Sequence, residues 1–237
     1  YHGKIRLIIF GRINTNMRNR FDSQLVQLND DLVIMGTMIE EAIAGAVKSV
    51  TTNDIAGAAA IRENDEEIEN KEKAIEALCL KLLLQQQPVA RDLRLISSAL
   101  KMITDMERIG DQASDICEIF MESDSLKGAV LPLYISQMAE EAIFMVNNAI
   151  EAFVKKNYEL AKQVKQYDTK VDNLFNQIKA DLIEAIKNNT KGDEQAIDIL
   201  MIAKYLEKIG DHAVNIAEWV MFSITGEHSS SKYKAFE

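Results

Sequence analysis

Two stretches of the sequence carry acidic residues at a spacing that can hold a cation. The first, ERIGDQASD, spans residues 107–115, and the second, EKIGDHAVN, spans residues 207–215. Helical residues four apart lie on one face, about 6 Å apart along the axis, so Glu107, Asp111 and Asp115 form one row. Carboxylates in such a row repel one another. Either solvent with its salt or a bound cation must offset that repulsion.

Two further acidic pairs have the same spacing, Asp65 with Glu69 and Asp168 with Asp172. If the helices that carry them pack antiparallel to the rows, each pair meets one row and forms an oxygen-rich site. Oxygen donors favour magnesium, calcium, manganese or iron over copper. The sequence therefore predicts two metal sites. The first would consist of Asp65, Glu69, Glu107, Asp111 and Asp115, and the second of Asp168, Asp172, Glu207 and Asp211.

A simpler interpretation of both rows stays open, because they flank apolar helix stripes and such flanks are commonly solvated. Recurrence of the row in a second place favours a site. Gly110 and Gly210 cost each helix about 1 kcal/mol relative to alanine, and close packing of a neighbouring helix is the expected compensation. His212 is predicted to be a surface residue. Arg91 and Arg94 are predicted to form ion pairs rather than to recognise phosphate.

The elements that must position these residues are long helices. The sequence has only 10 glycines and 2 prolines, and apolar residues recur every seven positions along two of the predicted helices. An all-α fold of six long helices follows, arranged as two tandem three-helix bundles related by a pseudo-twofold. The predicted helices span residues 20–52, 54–86, 89–122, 130–155, 157–188 and 193–223, with Asp54 as an N-cap.

The helices repeat. Leu100–Cys117 recurs as Leu200–Ala217 at a shift of 100 residues, which indicates a duplicated three-helix unit. We therefore divide the chain into repeats at residues 17–124 and 125–224. Residues 1–16 are expected to be a non-native or disordered extension ahead of Met17, and residues 225–237 a flexible tail.

Composition excludes several classes of function. A net charge of −10 disfavours nucleic acid as a partner, because that affinity comes largely from Lys and Arg. No nucleophile–base pair or phosphate loop occurs, so the chain is expected not to be an enzyme. Cys79 and Cys117 lack metal-type spacing and are expected to be reduced core residues. No apolar run approaches the roughly 20 residues that span a bilayer.

At the acidic rows the sequence resembles the PhoU family of bacterial phosphate-uptake regulators. The family's E/D-x-x-x-D motif is matched by Glu107–Asp111 and Glu207–Asp211, and Leu200–Ala213 resembles the signature of its second repeat. The resemblance covers about residues 17–223. Asn215 stands where the first unit has Asp115, which predicts tighter metal binding at the first site.

The resemblance implies a cytoplasmic negative regulator of phosphate uptake and of the phosphate-starvation response. Its implied partners are the ATPase subunit of the phosphate ABC transporter and a sensor histidine kinase, which would place it at the inner face of the membrane through those partners. A homodimer is also implied. The expected cofactors are divalent or trivalent metal ions, as multinuclear iron or zinc clusters, with manganese or magnesium as alternatives.

Two other classes remain as alternatives. A ferritin-like carboxylate-bridged metal enzyme would use Glu-x-x-His motifs. The chain has three histidines, and none lies three residues after a glutamate that recurs in both units. A helical adaptor without metal would have the same fold, with its acidic rows simply solvated.

Overall fold

Six long α-helices make up the described part of the chain, as the sequence predicts. The computed structural model describes residues 2–86, 88–129, 131–188 and 192–227, and no strand occurs among them. The helices are α1 (His2–Thr52), α2 (Ile55–Gln86), α3 (Ala90–Glu122), α4 (Leu133–Lys155), α5 (Tyr158–Lys187) and α6 (Asp193–Thr225), with a short 3-10 turn at Asp124–Leu126.

The predicted bounds agree with the structure to within a few residues, except at the start of α1. This helix begins at His2, well before the predicted start near residue 20. Residues 2–19 contain no proline to interrupt it, and a helix once formed extends readily along such a stretch. The interpretation of residues 1–16 as an extension stays a prediction. Most of the predicted tail, residues 228–237, lies outside the described residues.

Local side chains explain where the helices turn. Asp54 caps α2, accepting a hydrogen bond from the Gly57 N–H at 2.9 Å, as predicted. Asn157 caps α5 in the same way, accepting from the Leu160 N–H at 3.1 Å. Between α1 and α2, Asn53 has a positive φ of 57°. These short connections make consecutive helices antiparallel neighbours.

Helices α1–α3 pack together as one bundle and α4–α6 as the other. The bundles meet mainly through α3 against α6, and also through α1 against α4. Each of these contacts joins equivalent helices of the two repeats, as a pseudo-twofold requires.

The core confirms the predicted apolar seams. Ile68, Ile75 and Leu82 are buried along α2, as are Val164, Val171 and Ile178 along α5. Cys79 and Cys117 are free and buried, as predicted. Burial raises the pKa of each thiol to about 12, so neither is a ready nucleophile or metal ligand.

Candidate metal centres at the acidic rows

The structure brings each acidic pair against its row, as the sequence predicts. A Cβ atom built on Gly110 would lie 3.4 Å from Oδ1 of Asp65, and one on Gly210 would lie 3.4 Å from Oδ1 of Asp168. Asp65 on α2 and Asp168 on α5 therefore lie beside the two mid-helix glycines. Each repeat has one such crossing of an acidic pair and a row.

The nine candidate ligands lie at the edges of these crossings rather than inside the core. The half-buried ones are Asp65, Glu107, Asp115, Asp168 and Glu207, and the exposed ones are Glu69, Asp111, Asp172 and Asp211. A cation could reach both crossings from solvent.

In the first repeat, burial and mutual repulsion raise the pKa of the carboxyls. For Asp65 the causes are burial and then the charges of Asp111, Asp115 and Glu69. Burial and Asp115 likewise raise the pKa of Asp111. For Glu107 the causes are burial, Asp111 and Glu72.

The acidic cluster of the first repeat includes one residue that the sequence analysis missed. Burial and the neighbouring Glu76 and Glu69 raise the pKa of Glu72, and Asp111 on α3 adds to the effect. Glu72 therefore faces the acidic row of α3, as Asp65 and Glu69 do. Its position seven residues after Asp65, two helical turns along, is the signal that would have identified it.

In the second repeat, burial and mutual repulsion also raise the pKa of the carboxyls, most of all that of Asp168. Burial raises the pKa of Asp168 to about 6, helped by the charges of Asp172, Asp211 and Glu207. Burial and Glu207 also raise the pKa of Asp211, while Lys204 opposes the rise.

Each cluster contains one lysine that offsets part of the charge. Lys73 pairs with Glu69 at 2.7 Å in the first repeat, and Lys204 pairs with Glu207 at 2.5 Å in the second. The two lysines are not equivalent, since Thr104 is the counterpart of Lys204. A cation entering the second cluster would therefore compete with Lys204 for Glu207, a member of the row. In the first repeat it would compete with Lys73 for Glu69, a member of the acidic pair.

The donor set fits a hard cation in its chemistry. Its members are all carboxylates, they repel one another, and the lysines neutralise only part of their charge. In the described part of the chain, however, no three acidic, His or Cys side chains are already arranged to hold a metal ion. Binding would require side-chain rotation, which the exposed carboxylates permit. The metal sites stay a prediction, and the solvated-flank alternative stays open.

The two glycines differ in how tightly they are packed. At Gly110 an added Cβ would lie 3.0 Å from Cδ1 and 3.1 Å from Cγ2 of Ile68, closer than ordinary contact. At Gly210 the nearest carbon, Val171 Cγ1, would lie 3.5 Å away, which is ordinary contact. The packing explanation for glycine therefore holds at Gly110 and only weakly at Gly210.

We expect Gly210→Ala to raise the free energy of unfolding by up to about 1 kcal/mol, because the helix gains propensity and nothing must move. Gly110→Ala should gain less or lose stability, because Ile68 must shift. Urea unfolding of both variants in chelator measures the difference. A larger loss in Gly210→Ala than in Gly110→Ala would contradict this account of the two crossings.

Comparison with known proteins identifies the family. The family model described as the PhoU domain matches the chain twice, at residues 32–120 and 135–220. The chain belongs to the PhoU family. The two PhoU domains coincide with the two repeats, and each contains one acidic pair and one row.

Relatives in the PhoU family match over nearly their whole length. A phosphate-specific transport system accessory protein PhoU homolog from Pseudomonas aeruginosa is 32% identical over 215 residues, which cover 89% of this chain and 88% of the relative. The Escherichia coli accessory protein PhoU is 26% identical, covering 91% of this chain and 89% of its own.

Solved structures show the same fold. The crystal structure of PhoU from Pseudomonas aeruginosa superposes with a TM-score of 0.80 at 31% identity, covering 87% of this chain and 100% of that one. A phosphate transport system regulatory protein PhoU from Streptococcus pneumoniae superposes with a TM-score of 0.81 at 24% identity. These matches confirm the PhoU-like all-α fold.

One polar cluster of this PhoU chain was missed from the sequence. Asp105, on α3, is buried, and its Oδ1 lies 2.8 Å from Nδ1 of His212 and accepts from Nδ2 of Asn215 at 3.1 Å. Both partners come from α6. The prediction that His212 is a surface residue is therefore wrong, because its side chain is part of the contact between the two PhoU domains. A pair separated by 107 residues has no local signal in the sequence.

The pseudo-twofold relates this cluster to a second contact. Tyr205 is the counterpart of Asp105, and its hydroxyl donates a hydrogen bond to Asp115. Burial raises the pKa of Asp115, and this hydrogen bond opposes the rise. Asp115 thus lies between the domain contact and the first acidic cluster, whereas Asn215 contacts Asp105 across the domain contact.

In the described parts of residues 2–227, none of the helices has the length and apolar character required to span a bilayer.

Proposed function

We propose that the chain is an accessory protein of a phosphate-specific transport system and a negative regulator of phosphate uptake. The observation that carries the proposal is the match of two PhoU domains, each with its acidic cluster at the same helix crossing. Relatives from two genera that cover most of the chain are named as accessory proteins of that transport system.

The proposed mode of action is protein–protein interaction without turnover. The partners are the ATPase subunit of the phosphate ABC transporter and a sensor histidine kinase, with the protein acting in the cytoplasm as a homodimer. In support, the two crossings are dominated by carboxylates whose pKa values are raised by burial and by one another's charges, which suits cation binding or a charged contact surface. A steady phosphatase or ATPase activity that is lost in Glu207→Gln would contradict this proposal.

Metal binding is the second part of the proposal. Asp65, Glu69, Glu107, Asp111 and Asp115 would hold one site, and Asp168, Asp172, Glu207 and Asp211 the other, with iron, zinc, manganese or magnesium as the metal. A bound cation would neutralise the repelling carboxylates and tie α2 to α3, and α5 to α6. In this way metal occupancy would set the rigidity of each domain.

The test uses the purified protein and the transporter ATPase and kinase of the same organism. We expect measurable affinity for at least one partner, and weaker affinity in chelator or in a double Asp111→Asn, Asp211→Asn variant. Glu63→Gln removes one exposed charge from α2 outside the acidic pair and serves as the control. Absence of binding to both partners would contradict the regulatory proposal. Binding that is indifferent to metal would instead support the adaptor without metal.

A further inference from the structure

A cavity of about 210 Å³ lies at one end of the molecule, away from both acidic clusters. It is open to solvent and is lined by the start of α3 and the ends of α4 and α6. Its lining residues are Arg91, Asp92, Arg94, Leu95, Lys156, Ser223 and Ile224. A cavity needs only about 10–15 Å³ to hold a water, so this one has room for a small anion with water. We refer to it as the Arg94 cavity.

Three cations that line the Arg94 cavity have no carboxylate partner. Within the described ranges, no ion pair includes Arg91, Arg94 or Lys156. Nε of Arg94 is buried and has no hydrogen-bond partner there. Among the described residues, the ion pairs predicted for Arg91 and Arg94 do not form. Three cations with no ion-pair partner among the described residues therefore line one cavity of a chain whose net charge is −10, and a buried unpaired donor points to a missing acceptor.

Backbone geometry adds to the positive potential. Val89, the N-cap of α3, provides no side-chain cap, so no cap side chain occupies the N–H groups of the first turn, which carries Arg91 and Asp92 of the cavity wall. The positive end of the helix dipole favours an anion there.

Lys156 reaches this position at a conformational cost. It ends α4 in the left-handed region, with φ 52° and ψ 44°. The equivalent residue of the first repeat is Asn53, with φ 57°, and asparagine tolerates this region better than lysine. The conformation is that of a helix C-terminal cap, in which the Lys156 N–H donates to the Phe153 carbonyl and the Asn157 N–H to the Ala152 carbonyl.

Duplication accounts for Arg91, whose counterpart is Lys191, but not for Arg94 or Lys156. At the equivalent end of the molecule Glu194 occupies the position of Arg94, and Gly192 that of Asp92. There Ser123 donates to Asp198 at 2.6 Å, and Asn53 accepts from the Gly128 N–H at 3.1 Å. Among the described residues, that end is therefore closed by hydrogen bonds between neutral and acidic groups.

We propose that the Arg94 cavity binds a phosphate group, as inorganic phosphate or as a phosphomonoester. Arg91, Arg94 and Lys156 would bind the dianion through charge-assisted hydrogen bonds. The remaining wall carboxylate, Asp92, distinguishes phosphate from sulfate. Monohydrogen phosphate can donate its proton to Asp92, whereas sulfate has no proton and is repelled. This inference goes beyond the proposed function, since neither metal binding nor partner binding requires it.

The experiment is titration calorimetry of the full chain with inorganic phosphate, glycerol 3-phosphate and sulfate. Chelator is present throughout, so that phosphate cannot bind through metal at the acidic rows. We expect binding of at least one phosphate compound and weaker binding of sulfate. Binding of inorganic phosphate identifies the free anion as the ligand, and binding of glycerol 3-phosphate alone identifies an ester.

Two variants locate the site. Arg94→Gln and Lys156→Asn should each weaken phosphate binding by about tenfold or more, because each removes a charge-assisted hydrogen bond. Lys156→Asn installs the residue that the first repeat uses at this position, so its melting temperature should not fall. Lys179→Gln, which removes an exposed lysine from α5, should bind as the wild type does. Asp92→Asn should strengthen sulfate binding.

Three results would overturn the proposal: binding of neither phosphate compound, unchanged affinity in both cation variants, or sulfate binding as tight as phosphate binding. Each leaves the metal and partner experiments unaffected. Failure of this inference is therefore distinguishable from failure of the proposed function.

Discussion

Replacing Asp168 with asparagine is expected to raise the free energy of unfolding of the metal-free protein by about 1–3 kcal/mol at about pH 8. Burial raises the pKa of this carboxyl to about 6, helped by Asp172, Asp211 and Glu207, from 3.8 in the absence of these effects. Ionising Asp168 is therefore costlier in the folded state than in the unfolded state. The lower part of the range allows for solvent screening of a half-buried group.

The sign of the pH dependence follows from the same shift. Between about pH 4 and 6 the folded state holds a proton on Asp168 that the unfolded state has released, so stability falls as pH rises. Above about pH 6 both states are ionised and the full cost remains. The advantage of Asp168→Asn should therefore be complete above about pH 6 and should vanish as the pH falls towards 4.

Urea unfolding in chelator across this pH range, compared with wild type, measures the effect. Glu184→Gln removes an exposed charge from the same helix and controls for net charge. A variant that is less stable than wild type at the higher pH would show that the Asp168 carboxylate is satisfied in the metal-free protein. In that case the acidic row of the second repeat would not be under electrostatic strain.

The sequence predicts those parts of the fold and site that depend on helical periodicity. Ile68 and Val171 lie on seven-residue seams, so their burial and the placement of Asp65 and Asp168 beside them follow from spacing. The duplication predicts that whatever forms at one crossing forms at the other. The all-α fold is confirmed for these reasons.

What the sequence does not predict depends on how the two domains pack against each other. The contact of Asp105 with His212 joins residues that no periodic pattern relates. The Arg94 cavity gathers residues from three helix ends, and one of them, Lys156, has a backbone conformation that its residue type does not favour. Both features require the relative position of α3 and α6, which only the folded structure provides.

Metal is expected to reverse the effect of a single substitution in each acidic cluster. Without metal, Asp111→Asn and Asp211→Asn should raise the melting temperature, because each removes a charge that its neighbours repel. With metal, the same variants should melt below wild type, because each lacks an anionic ligand. A ligand that binds only the folded state adds about 2.7 kcal/mol of stability at a hundredfold excess over its Kd.

Calorimetric melting of wild type and both variants, in chelator and with manganese or iron(II), tests this reversal. Glu63→Gln lies on α2 outside the acidic pair and should show no reversal. Melting temperatures that are indifferent to metal in every protein would establish the rows as solvated helix flanks. An increase with metal in wild type that is undiminished in both variants would place the metal elsewhere.

The two repeats should not respond equally to metal. Asp115 adds an anionic donor beside the first cluster, where the second repeat has neutral Asn215 turned to Asp105. A cation at the first cluster competes with Lys73 for Glu69, which belongs to the acidic pair. A cation at the second cluster competes with Lys204 for Glu207, which belongs to the row itself. Both differences favour the first site, so Asp111→Asn should remove more of the metal-induced increase than Asp211→Asn. Lys204→Thr, which installs the residue of the first repeat, should bring the second site closer to the first. Equal losses in the two aspartate variants, together with no effect of Lys204→Thr, would contradict this ranking of the sites.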